Sequence, residues 1–188
     1  MDRRQLLHAA AGVTAWAWNG ELWAACASPS LASPEGPAYK PGAPERTSLY
    51  EPGMEGTPLT VAGTIMNTRC EPIPNATLDI WQVDNQGHYD DAGFRLRGKL
   101  RTDAKGRYEI RTIVPPAYPA GANFMRAAHI HLKLSAPGTP VFTTEMYFEG
   151  DPHRVTDRMW KEPLALRLKD GLNKSKQAVY DFRLKQEV

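Results

Sequence analysis

Residues 59–84 read LTVAGTIMNTRCEPIPNATLDIWQVD. Two strand-like runs flank a turn-rich centre. In LTVAGTIM, Leu59, Val61, Gly63 and Ile65 share one face, because successive strand side chains alternate sides. NTRCEPIPN has the Asn and Pro chemistry of turns. ATLDIWQVD carries apolar residues on both faces, which predicts a strand covered on both sides. Outward from this stretch the same grammar repeats. RGKLR and RYEIRTI flank the turn TDAKG, PPAYPAGANF is a long Pro/Gly loop, and RAAHIHLKLSA and VFTTEMYF are separated by PGTP. AVYDFRL reads as one further strand, and DPHRVTDRMWKEPLALRL has room for a turn or two of helix. Short strands with turn signals every 8 to 12 residues or so predict an all-β sandwich or barrel, with short helical or irregular segments near the C-terminus.

The 188 residues suit one domain with a hydrophobic core, and 41% hydrophobic with 23% charged residues is ordinary for a globular chain. A net charge of +2, with no basic run interleaved with aromatics, argues against a nucleic-acid partner. No apolar run is long enough for a membrane-spanning helix. The first 27 residues read as an export signal. Arg3 and Arg4 precede QLL and the run AAAGVTAWAW, and Ala25-Cys26-Ala27 forms an A-x-A cleavage pattern. The twin arginine points to the Tat route and a periplasmic or secreted destination. A lipoprotein anchored at Cys26 is the alternative, disfavoured by Trp23 three places earlier. Asn19 and Glu21 interrupt the apolar region and leave the cleavage site open. Residues 28–48 read as a Pro/Ser-rich linker or arm, and 49–188 as the folded domain. Cleavage after Ala27 would leave Cys70 as the sole cysteine, without an internal disulfide.

The run RAAHIHLKL, residues 126–134, sets His129 and His131 on one strand face and Ile130, Leu132 and Leu134 on the other. A bare His-x-His is as readily a pair of surface histidines as a metal site. Tyr89 in NQGHYD, Tyr118 in PPAYP and Arg126 give the pair a chemical context. A set of two tyrosines and two histidines contains no cysteine, unlike a structural zinc site, and no carboxylate, unlike a 2-His-1-carboxylate ferrous site. Phenol titrates near pH 10, so it ligates as phenolate only beside a strongly polarising cation. Ferric iron is such an ion, and two phenolates offset much of its charge in a pocket shielded from water.

With these residues in place, the chain resembles the intradiol ring-cleavage dioxygenases, most closely those acting on protocatechuate. The likeness covers roughly residues 49–188 and rests on four pieces in order: GTIMNTRCEPIPNATLDIWQVDNQGHYD, RLRGKLRTDAKGRYEIRTIVPPAYP, RAAHIH and EMYFEGDP. It implies a β-sandwich that holds one non-haem Fe(III) through Tyr89, Tyr118, His129 and His131. Tyr89 and His129 would be equatorial, Tyr118 and His131 axial. Tyr118 would also leave the metal and accept a proton from the catechol, while Arg126 would stabilise charge built up on the ring. The implied reaction opens a catechol between its hydroxyl-bearing carbons with O2. It gives a cis,cis-muconate-type diacid and needs no reducing cofactor.

Three positions depart from the family pattern. Ala127 stands where proline is frequent, Ala120 where protocatechuate enzymes tend to carry an aromatic residue, and Glu145 where they carry glutamine. The separate helical N-terminal domain of many catechol and hydroxyquinol enzymes is not represented in the sequence. The resemblance leaves open a homo-oligomer or a related second subunit. Two other readings share the fold: a secreted prealbumin-like carrier or interaction module without metal, and an inactive partner subunit.

Overall fold

The computed structural model describes residues 28–185. The expected export signal, residues 1–27, lies outside the described residues. The strands are β1 (Pro58–Asn67), β2 (Thr77–Trp81), β3 (Arg97–Arg101), β4 (Arg107–Ile113), β5 (Tyr118–Pro119), β6 (Met125–Arg126), β7 (His129–Ser135), β8 (Phe142–Phe148), β9 (Ala165–Leu166), β10 (Lys169–Asp170), β11 (Lys176–Val179) and β12 (Phe182–Leu184). Short 3-10 turns at Pro152–Val155 and Glu162–Leu164 occupy the stretch expected to hold a little helix. Among the described residues no helix is long and apolar enough to cross a membrane.

The strands form two five-stranded sheets and a two-stranded ribbon. One sheet is built on β1, which pairs antiparallel with β4 and parallel with β11 and then β12. The other runs β3-β2-β7-β8-β9. Between them lies the main core. Leu59, Val61 and Ile65 of β1, Ile110 of β4 and Phe182 of β12 pack with Leu78 and Ile80 of β2, Ile130, Leu132 and Leu134 of β7, and Met146 of β8. All are essentially inaccessible to water. Burying each such side chain contributes about 1.5–3 kcal/mol, so the alternation fixes which way each strand faces.

The second face of the β2-β7-β8 sheet is covered as well. Residues 28–48 run along it as a hydrogen-bonded arm. Ser33 N donates to Thr143 O (2.9 Å), Thr144 Oγ1 to Leu31 O (2.7 Å) and Arg97 Nη1 to Ala38 O (2.7 Å). Glu35 pairs with Lys133, and Tyr39 donates to Asp79 while its ring meets the edge of Trp81. This explains the two-sided apolar pattern of β2: Leu78 and Ile80 face the core, and Trp81 lies under the arm.

One expectation needs correction. AVYDFRL is not one strand, because β11 ends at Val179 and β12 begins at Phe182. At the break, Tyr180 N donates to Ala62 O (2.9 Å), Thr64 N to Asp181 Oδ1 (2.7 Å) and Tyr108 Oη to Tyr180 O (2.6 Å). Gly63 makes the break possible, since a Cβ there would lie 1.8 Å from the Tyr180 carbonyl oxygen.

Gly63→Ala should therefore force the β1–β12 crossing apart. Overpacking costs about 1–3 kcal/mol and more where backbone must move, and chemical denaturation should show a loss at the upper end of that range. An unchanged midpoint would mean that the close approach is not needed.

Candidate metal centre and substrate cavity

The sheet register assembles the site from alternate residues. Trp81 on β2, His131 on β7 and Glu145 on β8 are cross-strand partners, and His129 opposes Tyr147 in the neighbouring rung. The Trp81 and His131 rings stack with centroids 4.8 Å apart and planes 2° from parallel. Both histidines are buried, at 1% and 2% exposure, so they are not a surface pair.

Loops bring the tyrosines to them. Asp84 ties the loop after β2, its Oδ1 accepting from Gln86 N (2.9 Å) and His88 N (3.0 Å). Gly87 turns the chain at φ +83°, and a Cβ there would sit 3.1 Å from Tyr118 Cβ. The turn thus aims Tyr89 inward and lets Tyr118 pack close. Tyr118 is held by the β5–β6 ribbon directly opposite Arg126.

All four expected ligands converge. Tyr89 Oη lies 3.0 Å from Tyr118 Oη and 3.0 Å from His131 Nε2, His129 Nε2 is 3.0 Å from His131 Nε2, and Tyr118 Oη is 3.5 Å from His129 Nε2. His129 Nδ1 donates to Ala127 O (2.6 Å), which leaves its Nε2 with only a lone pair, pointed at His131 Nε2. Burial, and secondarily Arg126, lowers His129 to about 4, so it is neutral at pH 7. Burial and the adjacent His129 push His131 well below the usual histidine value. Burial raises both phenols, that of Tyr89 reinforced by Tyr118. Two imidazole nitrogens and two phenol oxygens gathered within 3.0–3.5 Å of their neighbours form a ring that a shared, strongly polarising cation suits. The donor set therefore fits a ferric ion.

Glu145 stands close by, its Oε1 being 3.4 Å from His131 Nδ1 and 3.8 Å from His129 Nε2. The carboxylate that sequence placed outside the ligand set is thus near it, and His129, His131 and Glu145 lie within reach of one ion. Its oxygens are otherwise engaged. Oε1 accepts from Arg126 Nη2 (2.8 Å) and Oε2 meets the Tyr147 hydroxyl. The tyrosine-histidine set is the better donor ring because its four atoms face one point. With both histidines neutral, their approaches to Glu145 are not ion pairs. His131 Nδ1 makes no hydrogen bond and lies 3.4 Å from Glu145 Oε1.

Arg126 stands both on the cavity wall and in a buried ion-pair network. It lines the cavity, and it is paired: Nε donates to Asp157 Oδ2 (3.0 Å) and Nη2 to Glu145 Oε1 and Tyr147 Oη (3.1 Å). Burial opposes its charge, but the two carboxylates outweigh burial and hold the guanidinium protonated. Asp157 also accepts from Ala127 N (2.9 Å), and Asp151 Oδ2 from Ala128 N (2.8 Å). Ala127, where the family frequently has proline, thus uses an N–H that proline lacks, which ties down the start of β7. Sequence reasoning missed Asp157, Tyr147 and Trp81. Tyr147 was accessible, since it shares the Glu145 face of TTEMYF at a spacing of two. Asp157 lies in irregular chain with no periodic signal.

Over the donors opens a cavity of about 620 Å³. Its walls come from the arm (Pro34, Gly36, Pro37, Ala38), the Tyr89 loop, the Pro119–Phe124 turn, Arg126, Glu145 and Met159.

The Dioxygenase family model (Dioxygenase_C) matches residues 34–186. Among solved structures, the chain is similar to the dioxygenase domain of a dioxygenase–carbohydrate-binding fusion from Streptomyces sp. SirexAA-E. That likeness has a TM-score of 0.79 at 39% identity and covers 85% of this chain and 100% of that one. Similarity to 3-chlorocatechol 1,2-dioxygenase of Rhodococcus opacus has a TM-score of 0.79 at 30% identity, over 84% of this chain and 73% of that one. Catechol 1,2-dioxygenase 2 of Acinetobacter lwoffii is 31% identical over 159 residues, 73% of this chain and 56% of the relative. The chain thus spans little more than half the length of that curated relative.

The neutral histidines give the metal-free protein a pH signature. His129 is free to protonate from 6.5 downward when unfolded but only near 4 when folded, so the unfolded state binds more protons in between. Stability should be full above that window and fall as pH drops through it, with His131 acting in the same direction. Denaturant titrations of chelator-treated protein at pH 7 and pH 5 test this, and equal midpoints would contradict buried neutral histidines.

Proposed function

Because the chain belongs to the intradiol ring-cleavage dioxygenase family, we propose that it uses O2 to cleave a catechol-type ring between its two hydroxyl-bearing carbons, giving a cis,cis-muconate-type diacid. The convergence of Tyr89, Tyr118, His129 and His131 carries this reading. These four residues would hold one non-haem Fe(III). Bound there, ferric iron supplies the Lewis acidity that draws electron density from a catecholate and opens it to oxygen.

The chain's own residues do the rest. His129 keeps its Nε2 free for the metal through the hydrogen bond to Ala127 O. Trp81 fixes the plane of His131 by stacking. Tyr118 lies on the cavity wall; held as phenolate by the metal, it would accept one of the two catechol protons, the other leaving to solvent. Because burial raises its phenol above the ordinary value, it retains that proton once it has it. Arg126 presents a fixed positive charge beside the bound ring, positioned beforehand by Asp157 and Glu145. Preorganised charge of this kind acts where negative charge moves in the transition state. The arm and the Pro119–Phe124 turn line the cavity on two sides. A carrier module of the same fold has no use for convergent phenol and imidazole donors.

Catechol and O2 should be consumed in equal amounts, without added reductant, as the ring-opened diacid appears. Replacing Arg126 by Ala should lower turnover per bound iron by about 10²-fold or more, the scale of losing one preorganised donor. Stability should fall too, because Glu145 and Asp157 lose their buried partner. Kinetics normalised to iron content separate the two effects. Wild-type turnover per iron in the variant would remove Arg126 from the catalytic residues.

A further inference from the structure

Arg97 is a buried cation that does not line the cavity. It opens β3 and is 1% exposed. Register places it at the end of a row that crosses the sheet: Arg97 opposes Trp81 on β2, Trp81 opposes His131 on β7, and His131 opposes Glu145 on β8. The two ends of the row serve different neighbours. Glu145 meets Arg126 on the cavity wall, whereas Arg97 stands behind that wall. The backbone is strained to put it there. Leu96 is buried and has φ +53°, a left-handed conformation that a side chain with a Cβ disfavours. Leu96 thereby packs in the core while Arg97 points to the other face.

The guanidinium has little negative charge against it. Its Nε donates to Asp90 O (3.1 Å) and its Nη1 to Ala38 O (2.7 Å), so it ties the residue after Tyr89 to the arm. Carbonyls satisfy its donors without cancelling its charge. Among the described residues, Asp91 is the one carboxylate in ion-pair range, 3.9 Å from Nη2, and it is 90% exposed, so solvent screens the pair. Asp79, on the same face as Trp81, is engaged by Tyr39 (3.1 Å) and Lys99 (3.8 Å). The group that the guanidinium faces closely is the Tyr89 ring, with Cζ 5.5 Å from the ring centroid. That separation is within the range of a cation–π contact, which strengthens when water is excluded. A buried charge is costly unless matched, and an electron-rich ring offsets that cost. The ring is richest in electrons when its oxygen ligates a metal.

Resting on the ferric-site reading above, we infer that Arg97 is a positioning residue for the metal centre, holding Tyr89 by its ring and its loop and steadying the negative charge of the bound tyrosinate. Tyr89 is thus gripped at side chain and backbone, as suits the tyrosine that stays on the metal while Tyr118 leaves it.

The test uses the full, iron-loaded chain with Arg97→Met, which keeps a similar stem without charge, and Arg97→Lys, which keeps the charge without the planar fork. Two readouts besides activity are followed: the position of the tyrosinate-to-iron charge-transfer band and the rate of iron loss to excess EDTA. Removing a cation from the ring face raises the energy of the ring electrons, so Arg97→Met should move the band to longer wavelength. Iron loss should be faster by about 10- to 100-fold, the scale of deleting a group that supports a ligand. Arg97→Lys should return the band toward its wild-type position. In a Tyr89→Phe background, Arg97→Met should alter iron loss far less, because the bound tyrosinate is gone. Wild-type protein without iron or a visible band would overturn the ferric-site reading itself. With that band present, four results would overturn this inference alone. They are an unmoved band with unchanged iron loss in Arg97→Met, a band in Arg97→Lys that matches Arg97→Met, an equal effect in the Tyr89→Phe background, and failure of both Arg97 variants to fold by circular dichroism. The last two would make Arg97 a residue of the fold.

Discussion

The period-two alternation of β7 is the constraint on which the molecule depends. Ile130, Leu132 and Leu134 are fully buried between the sheets, and this pins the strand so that His129 and His131 must face the other way. A slip of one residue would place imidazoles in the core and leucines in the cavity, so the free energy that holds the sandwich together also aims the two imidazoles. The same register carries sideways. Trp81 and Glu145 reach His131, and Tyr147 reaches His129, because they are cross-strand partners on that face. The site is thus an outgrowth of sheet pairing, completed by two loops that deliver Tyr89 and Tyr118.

A second layer of order comes from buried charge. Arg126, Glu145, Asp157 and the Tyr147 hydroxyl form one hydrogen-bonded group, and the Tyr147 hydroxyl also lies 2.9 Å from Met159 O. Buried ion pairs contribute modestly to net stability, whereas breaking one by removing a partner is strongly destabilising. Their consequence here is positional. The guanidinium is held in place on the cavity wall, and the irregular chain from Asp151 to Met159 is tied to the start of β7. The arm formed by residues 28–48 acts similarly from the opposite side, bonded to the sheet and closing the cavity wall.

Much of this was legible in the sequence, for physical reasons. Alternation in β1, β4, β7 and β8 marks faces, so an all-β sandwich or barrel and the shared face of His129 and His131 follow from spacing alone, and the family likeness selects the sandwich. Tyr89 and Tyr118 stood out as candidate donors in their turn-rich loops, and the family likeness supplied their roles, since those loops have no periodicity to read. Asp157 stayed hidden because its role depends on where an irregular segment folds back. The break between β11 and β12 stayed hidden because it depends on Gly63 meeting a carbonyl 117 residues away in sequence. The Pro-rich composition of residues 28–48 read equally as linker or arm, since contacts such as Glu35 with Lys133 and Tyr39 with Asp79 leave no local pattern.

The most direct test of the central claim, that two phenols and two imidazoles form a ferric site, is metal analysis combined with visible absorption of the purified protein and its Tyr89→Phe variant. The expected result is close to one iron per chain and a red-brown tyrosinate-to-iron charge-transfer band that changes in position and intensity when Tyr89 is replaced. A colourless protein with zinc at full occupancy, or a visible band indifferent to Tyr89, would contradict it.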